Sequence, residues 1–157
     1  MSTYTSGDLV RVLPQSLEAE RATLGSAMLD PAGLLLVMET LVAEDYYHPQ
    51  HQVIYRAMAQ LFAQARSVDL ITMNAELSKS GALDGIGGVE YLVQLTQSVS
   101  STAFLKHYVD IVLEKATLRK LIAASGDISR VCFEQRMDMA ETLQFAEKTI
   151  FDIVMKR

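Results

Sequence analysis

A chain of 157 residues, half of them apolar and 21% charged, can bury one core and falls outside the disordered and low-complexity classes. Its net charge of −5 repels a polyanion, so direct nucleic-acid binding is disfavoured. The longest purely apolar run, Leu34-Leu35-Leu36-Val37-Met38, is far short of the roughly 18 residues that span a bilayer. A lone cysteine, Cys132, excludes an internal disulfide, and with no signal-peptide pattern the expected compartment is a reducing cytoplasm.

Residues 1–13 are polar, lack an apolar period and read as a mobile arm. Ser16 is placed to cap a first helix running to about Leu29, with Glu18 and Glu20 complementing its positive end. Asp30-Pro31 restarts the chain for a second helix to about Leu41. Pro49 opens a third, whose apolar positions Val53, Ile54, Ala57, Met58, Leu61 and Phe62 recur at helical spacing. Asp69 or Thr72 caps a short fourth helix through Leu77. Gly81, Gly85, Gly87 and Gly88 then predict turns, and a fifth helix starts near Val89.

After a polar gap at 98–102 the chain carries no proline and a single glycine from 103 to about 134, which predicts one long helix. Asp138 and Glu141 form a reciprocal capping pattern that starts a last helix. The fold class is therefore all-α: a helical bundle over 14–102 followed by a long helical hairpin over 103–157.

In the long helix Leu118, Leu121, Ser125, Ile128 and Cys132 recur at three-then-four spacing, as do Leu143, Ala146, Ile150 and Ile153 in the last. A short connection returns the second helix antiparallel to the first. The upstream stripe of Leu105, Tyr108, Val109, Val112 and Ala116 is expected to pack on the bundle instead. Ile122, Phe133, Phe145, Phe151 and Val154 lie off the expected seam, so a second copy of the chain is expected to cover them.

Several residues carry a chemical alternative beside a plain one. His48 and His51, three apart, could offer two imidazoles to a metal, but with no third ligand cluster they read as capping or surface packing. Cys132 reads as a small buried hydrophobe. Glu18 and Glu20, two apart, do not share a helix face and read as first-turn charges rather than a catalytic pair. Lys115, Arg119 and Lys120 read as a solvated face. Tyr91 is balanced between core packing and docking. No nucleophile, base and orienting group converge by spacing, so neither catalytic nor metal nor cofactor residues are expected.

Several stretches, taken in order, resemble the DnaB-type replicative helicases. They are Leu13-Pro14-Gln15-Ser16-Leu17-Glu18-Ala19-Glu20, Leu24-Gly25-Ser26-Ala27-Met28-Leu29-Asp30-Pro31, Asp45-Tyr46-Tyr47-His48-Pro49-Gln50-His51, Val68-Asp69-Leu70-Ile71-Thr72 and Gly87-Gly88-Val89-Glu90-Tyr91-Leu92. His107-Tyr108-Val109-Asp110-Ile111-Val112 and Lys115-Ala116-Thr117-Leu118-Arg119-Lys120-Leu121-Ile122 complete the set. The resemblance implies an amino-terminal scaffold that pairs as dimers, a trimer of dimers making a hexameric ring. It also implies docking of the carboxyl-terminal domain of a DnaG-type primase and, in some lineages, of a helicase loader. Glu18, Tyr91, Ile122 and Ile128 resemble the family's docking and regulatory positions.

Full-length members carry a RecA-like motor that uses ATP and Mg2+ through a Walker A loop. Here no glycine is followed by Lys-Ser or Lys-Thr, so unwinding and ATP hydrolysis are expected to lie in a part beyond Arg157. The alternative is a stand-alone helical regulator that binds and modulates a helicase ring, for which Arg157 is the natural end.

Overall fold

Short polar side chains start four of the eight described α-helices. In the computed structural model, which describes residues 12–99 and 102–156, the Ser16 hydroxyl accepts from the Ala19 amide at 3.1 Å and opens α1 (Leu17–Leu29). Asp30 does the same for Ala32 at 3.2 Å, with Pro31 in the first turn of α2 (Pro31–Thr40). A 3-10 turn at Ala43–Asp45 leads to α3 (Pro49–Ala63). At the head of α4 (Leu70–Lys79) both residues suggested as caps act together. The Thr72 amide donates to Asp69 and the Asp69 amide to the Thr72 hydroxyl, each at 2.9 Å.

The glycine-rich stretch does more than turn. A one-turn helix, α5 (Leu83–Ile86), forms inside it, with Gly85 helical. Gly87 closes it in the left-handed region at φ 110° and feeds α6 (Gly88–Gln97). A second 3-10 turn, Thr102–Phe104, enters α7 (Leu105–Glu134). Asp138 accepts from the Glu141 amide at 2.8 Å to start α8 (Met139–Met155). Among the described residues there is no strand, and no helix is long and apolar enough to cross a membrane. The arm expected over 1–13 lies, through residue 11, outside the described residues, as do residues 100 and 101 of the polar gap.

The chain divides into two compact units. One comprises Ser16–Ala116, so the division falls inside α7 rather than at the start of the long helix. The reason is the upstream stripe of α7: Leu105, Val109 and Val112 are buried in the same core as Leu24, Val37, Ile54, Met58, Leu61, Met73, Leu77, Leu92 and Leu95. Each such side chain taken from water contributes roughly 1.5–3 kcal/mol before entropy is counted. At the centre lies α1, packed against α2, α3 and α6 and buried over most of its length, which explains its small residues Ala22, Gly25 and Ser26.

Among the described residues, the other unit comprises 117–156 and 12–15. Residues 135–138 connect α7 to α8, a link short enough to make the two helices return antiparallel. Arg119 donates to the carbonyl of Pro14 at 2.8 Å and ties residues 12–15 to this unit. The buried line on α7 keeps Leu121 and Ile128 of the expected seam but shifts by one residue at its other positions. Ala124 and Val131 are buried and Leu121 and Ile128 half-buried, whereas Leu118, Ser125 and Cys132 are exposed. On α8 the half-buried residues are Thr142, Phe145, Ala146, Thr149, Asp152 and Ile153, while Leu143 and Ile150 face solvent. Small and β-branched side chains thus make up most of the covered line, beside Leu121 and Phe145, and several larger ones lie outside it.

Candidate protein-docking site

Glu20 departs most from its expected place. It is 1% exposed, so it is no surface charge at a helix end. Ionised carboxylates survive burial only when fully hydrogen-bonded. Here Oε2 accepts from the Tyr47 amide at 2.8 Å, and Oε1 from the His48 amide at 3.3 Å and from His51 Nδ1 at 2.7 Å. Burial alone would raise its pKa. The hydrogen bonds from His51, Tyr47 and His48 outweigh that, and the net displacement is below the usual carboxylate range. Glu20 on α1 therefore anchors the start of α3, where two successive backbone amides point at it.

His51 is wholly buried, not a surface or capping residue. Position 51 is the third residue of α3, beyond Pro49, and its second ring nitrogen, Nε2, lies 2.5 Å from the Tyr91 hydroxyl on α6. The two rings are within 18° of parallel, with centroids 5.8 Å apart. Both imidazole nitrogens are thus committed inside the protein. His48 stays half-buried, its ring 5.2 Å from that of His51.

Two more tyrosines brace the same loop. Tyr46 is buried with its hydroxyl 2.9 Å from that of Thr23, and its carbonyl accepts from the Gln52 side chain at 2.7 Å. The Tyr55 hydroxyl donates to the Leu41 carbonyl at 2.5 Å. Burial pushes both phenols up, chiefly by desolvation, so each stays a neutral donor at physiological pH.

Of the residues matched to docking positions, Glu18 and Tyr91 fall in the Ser16–Ala116 unit. Tyr91 is half-buried and Glu18 exposed. The Arg21 guanidinium carbon sits 5.9 Å from the centre of the Tyr91 ring, and Glu18 lies one turn before Arg21 on the same face of α1. The guanidinium and the aromatic face thus lie together, with the Glu18 carboxylate one turn away along α1. The polar atoms of Glu20 and His51 are all engaged in hydrogen bonds inside the unit. The patch suits recognition.

Ile122 and Ile128 fall in the other unit, Ile122 exposed at 48% and Ile128 half-buried on the covered line of α7. Phe133 at 86% and Phe151 at 57% are the most open aromatic side chains of that unit, and Val154, Leu143 and Met155 are exposed with Phe151 on α8. Phe145 differs from expectation: it is half-buried, as are Ala146 and Thr149, and does not belong to the exposed flank. Cys132 is exposed and not the buried hydrophobe its spacing suggests.

A separate cleft of about 760 Å³ opens where α1 meets α2, lined by Met28, Leu29, Leu34, Phe62, Arg66 and Val68. Its two carboxylates, Asp30 and Asp69, are the caps of α2 and α4, which accounts for them structurally. The Glu20–His51–Tyr91 set was invisible to periodicity because its members are 31 and 40 residues apart. The one signal available was a glutamate following a run of helix-start features it did not need, since Ser16 already caps the helix.

Residues 12–114 match the family model described as the DnaB-like helicase N terminal domain. The replicative DNA helicase DnaC of Bacillus subtilis (strain 168) is 37% identical over 147 residues, covering 94% of this chain and 32% of that protein. The replicative DNA helicase DnaB of Geobacillus stearothermophilus is 38% identical over 147 residues with the same shares, 94% and 32%. The chain thus spans about a third of the length of the curated relatives it matches. Among solved structures, the N-terminal domain of DnaB helicase from Mycobacterium tuberculosis superposes with a TM-score of 0.84 at 35% identity, covering 90% of this chain and 99% of that one. A structure described as a DnaB-like replicative helicase and its interactions with primase gives 0.73 at 29% identity, covering 88% and 31%.

Proposed function

We propose, since this chain belongs to the family of DnaB-like helicase N-terminal domains, that it is the non-catalytic docking and assembly domain of a replicative DNA helicase. In this reading it recruits a DnaG-type primase through the primase's carboxyl-terminal helical domain, offers a second surface to a helicase loader, and pairs with copies of itself as a trimer of dimers within a hexamer. ATP-driven unwinding, with its ATP and Mg2+, belongs to a RecA-like motor outside these residues.

The observation that carries the reading is the exposed apolar flank of the Thr117–Arg157 unit. Ile122, Phe133, Phe151 and Val154 together leave several hundred square ångströms wet by the usual size of such side chains, roughly 150–250 Å² for each aromatic. Large apolar side chains left this open on both helices are more typical of a protein-interaction surface than of a bare monomer surface. The primase assignment draws on the solved helicase described with its primase interactions. It also draws on the open patch of Glu18, Arg21 and Tyr91.

Isothermal titration of this chain with a primase carboxyl-terminal domain tests the reading. Saturable binding is expected, weakened at least tenfold in a Tyr91→Ala, Ile122→Ala double variant that keeps its melting temperature. A folded double variant of undiminished affinity rejects the docking role.

A further inference from the structure

We propose that Glu20 and His51 are positioning residues for docking. They hold the Tyr91 ring in one orientation and set its hydroxyl as a hydrogen-bond acceptor toward the partner. The proposal deepens the docking function above and rests on it.

The argument starts at Glu20. An ionised carboxylate only accepts, and both its oxygens are already engaged by donors, the Tyr47 and His48 amides. The 2.7 Å approach of His51 Nδ1 therefore places a hydrogen on Nδ1. In the neutral ring that leaves Nε2 as an acceptor, and the group 2.5 Å from it is the Tyr91 hydroxyl. Tyr91 must then donate its only hydrogen inward.

What remains on the phenolic oxygen for a partner is lone pairs. A docking helix would have to bring an N–H, an ammonium or a guanidinium to that oxygen, and a carbonyl or carboxylate placed there would be repelled. Glu18 and Arg21 put opposite charges beside Tyr91, so the preference for a donor at the phenolic oxygen comes from its hydrogen bonding and not from the net charge of the patch. The relay links three helices, α1 through Glu20, α3 through His51 and α6 through Tyr91, and buries its first two members completely. Such a chain fixes one rotamer of an otherwise half-exposed side chain before binding, which reduces the ordering cost of association.

Two measurements on the intact chain test this. Nitrogen-15 NMR of the His51 ring is expected to show Nδ1 protonated and Nε2 as the unprotonated acceptor; the opposite tautomer overturns the proposal. Titration with the primase carboxyl-terminal domain is expected to give a loss of about three- to tenfold for Tyr91→Phe and for His51→Gln, the scale of one hydrogen bond. The double variant should lose no more than the larger single one, and all variants should be compared well below their melting temperatures. Additive losses, or unchanged affinity in a folded His51→Gln chain, overturn the relay while leaving docking intact. A folded Tyr91→Ala chain with full affinity overturns docking itself and the relay's role with it. Should His51→Gln fail to fold, the tautomer measurement and Tyr91→Phe still decide.

Discussion

Gly25 on α1 packs directly against the backbone of Leu95 on α6. A methyl group added at Gly25 would overlap the Leu95 carbonyl and stand 2.7 Å from Cγ2 of Val99, closer than real Cβ contacts allow. Backbone cannot rotate away as a side chain can, so Gly25→Ala must push the two helices apart. Overpacking of this kind costs roughly 1–3 kcal/mol. A urea titration of Gly25→Ala should show a lower midpoint with an unchanged slope. Because Tyr91 rides on α6, the proposed primase docking should weaken as well.

Glu20 makes the stability of the chain sensitive to acid. Burial pushes its pKa up, but the hydrogen bonds from His51, Tyr47 and His48 outweigh that and leave it lowered in the folded state. A lowered carboxyl contributes fully above the unfolded value, about 4.3 for glutamate. The contribution is lost as the pH drops through that value toward the folded one. Glu20→Gln removes the charge while keeping the shape, and it weakens the buried hydrogen bonds from Tyr47, His48 and His51, a loss of about 1–3 kcal/mol at pH 7. Unfolding free energies of both proteins, measured from pH 7 down to pH 3, should converge as acid is added. A constant gap across that range would show that the carboxylate charge is not what stabilises the fold.

These residues also mark how far the sequence could be read. Ser16, Asp30, Asp69 and Asp138 act on amides two or three positions away, so the helix starts they set were legible without the fold. The one-turn helix at Leu83–Ile86 was hidden by the glycines around it. The hairpin seam was placed correctly at Leu121, Ile128, Ala146 and Ile153 and missed by one residue elsewhere on α7, because that helix carries apolar side chains on two sides. Leu118 and Cys132 are as greasy as Ala124 and Val131, and periodicity cannot tell a face covered within the chain from one awaiting a partner. The buried polar network lay further out of reach. Glu20 and His51 count as polar in any hydrophobic pattern, and only the packing of α1, α3 and α6 brings them together.

Two backbone sites in the Thr117–Arg157 unit leave stability to be gained. Gly126 is helical, with open space for 4 Å around the point where a side-chain methyl would attach, and Gln135, just past the end of α7, holds φ at 53°. Gly126→Ala should add roughly 0.5–1 kcal/mol through helix propensity. Gln135→Gly should add a similar amount by relieving a left-handed conformation that side chains resist. Thermal melts of the single and double variants should show both gains, and the two should add within a few tenths of a kcal/mol, as the sites are nine residues apart on separate turns. A loss for Gly126→Ala in the self-associated protein, with a gain when dilute, would locate Gly126 in the contact between copies.

Phe133 and Phe151 provide the sharpest test of self-pairing. At 86% and 57% exposure neither side chain supports its own subunit much, so replacing both by serine should change monomer stability by no more than about 0.5 kcal/mol. If a second copy covers them, each loses much of its area to the partner, and at about 25 cal/mol per Å² the pair contributes several kcal/mol to association. Sedimentation equilibrium at several concentrations should then show the wild-type chain associating and the Phe133→Ser, Phe151→Ser chain shifted to monomer by at least a hundredfold in dissociation constant. Phe145→Ser is the internal control: half-buried in its own unit, it should lower the melting temperature of the monomer. A wild-type chain that stays strictly monomeric at high concentration would remove the case for pairing through this flank.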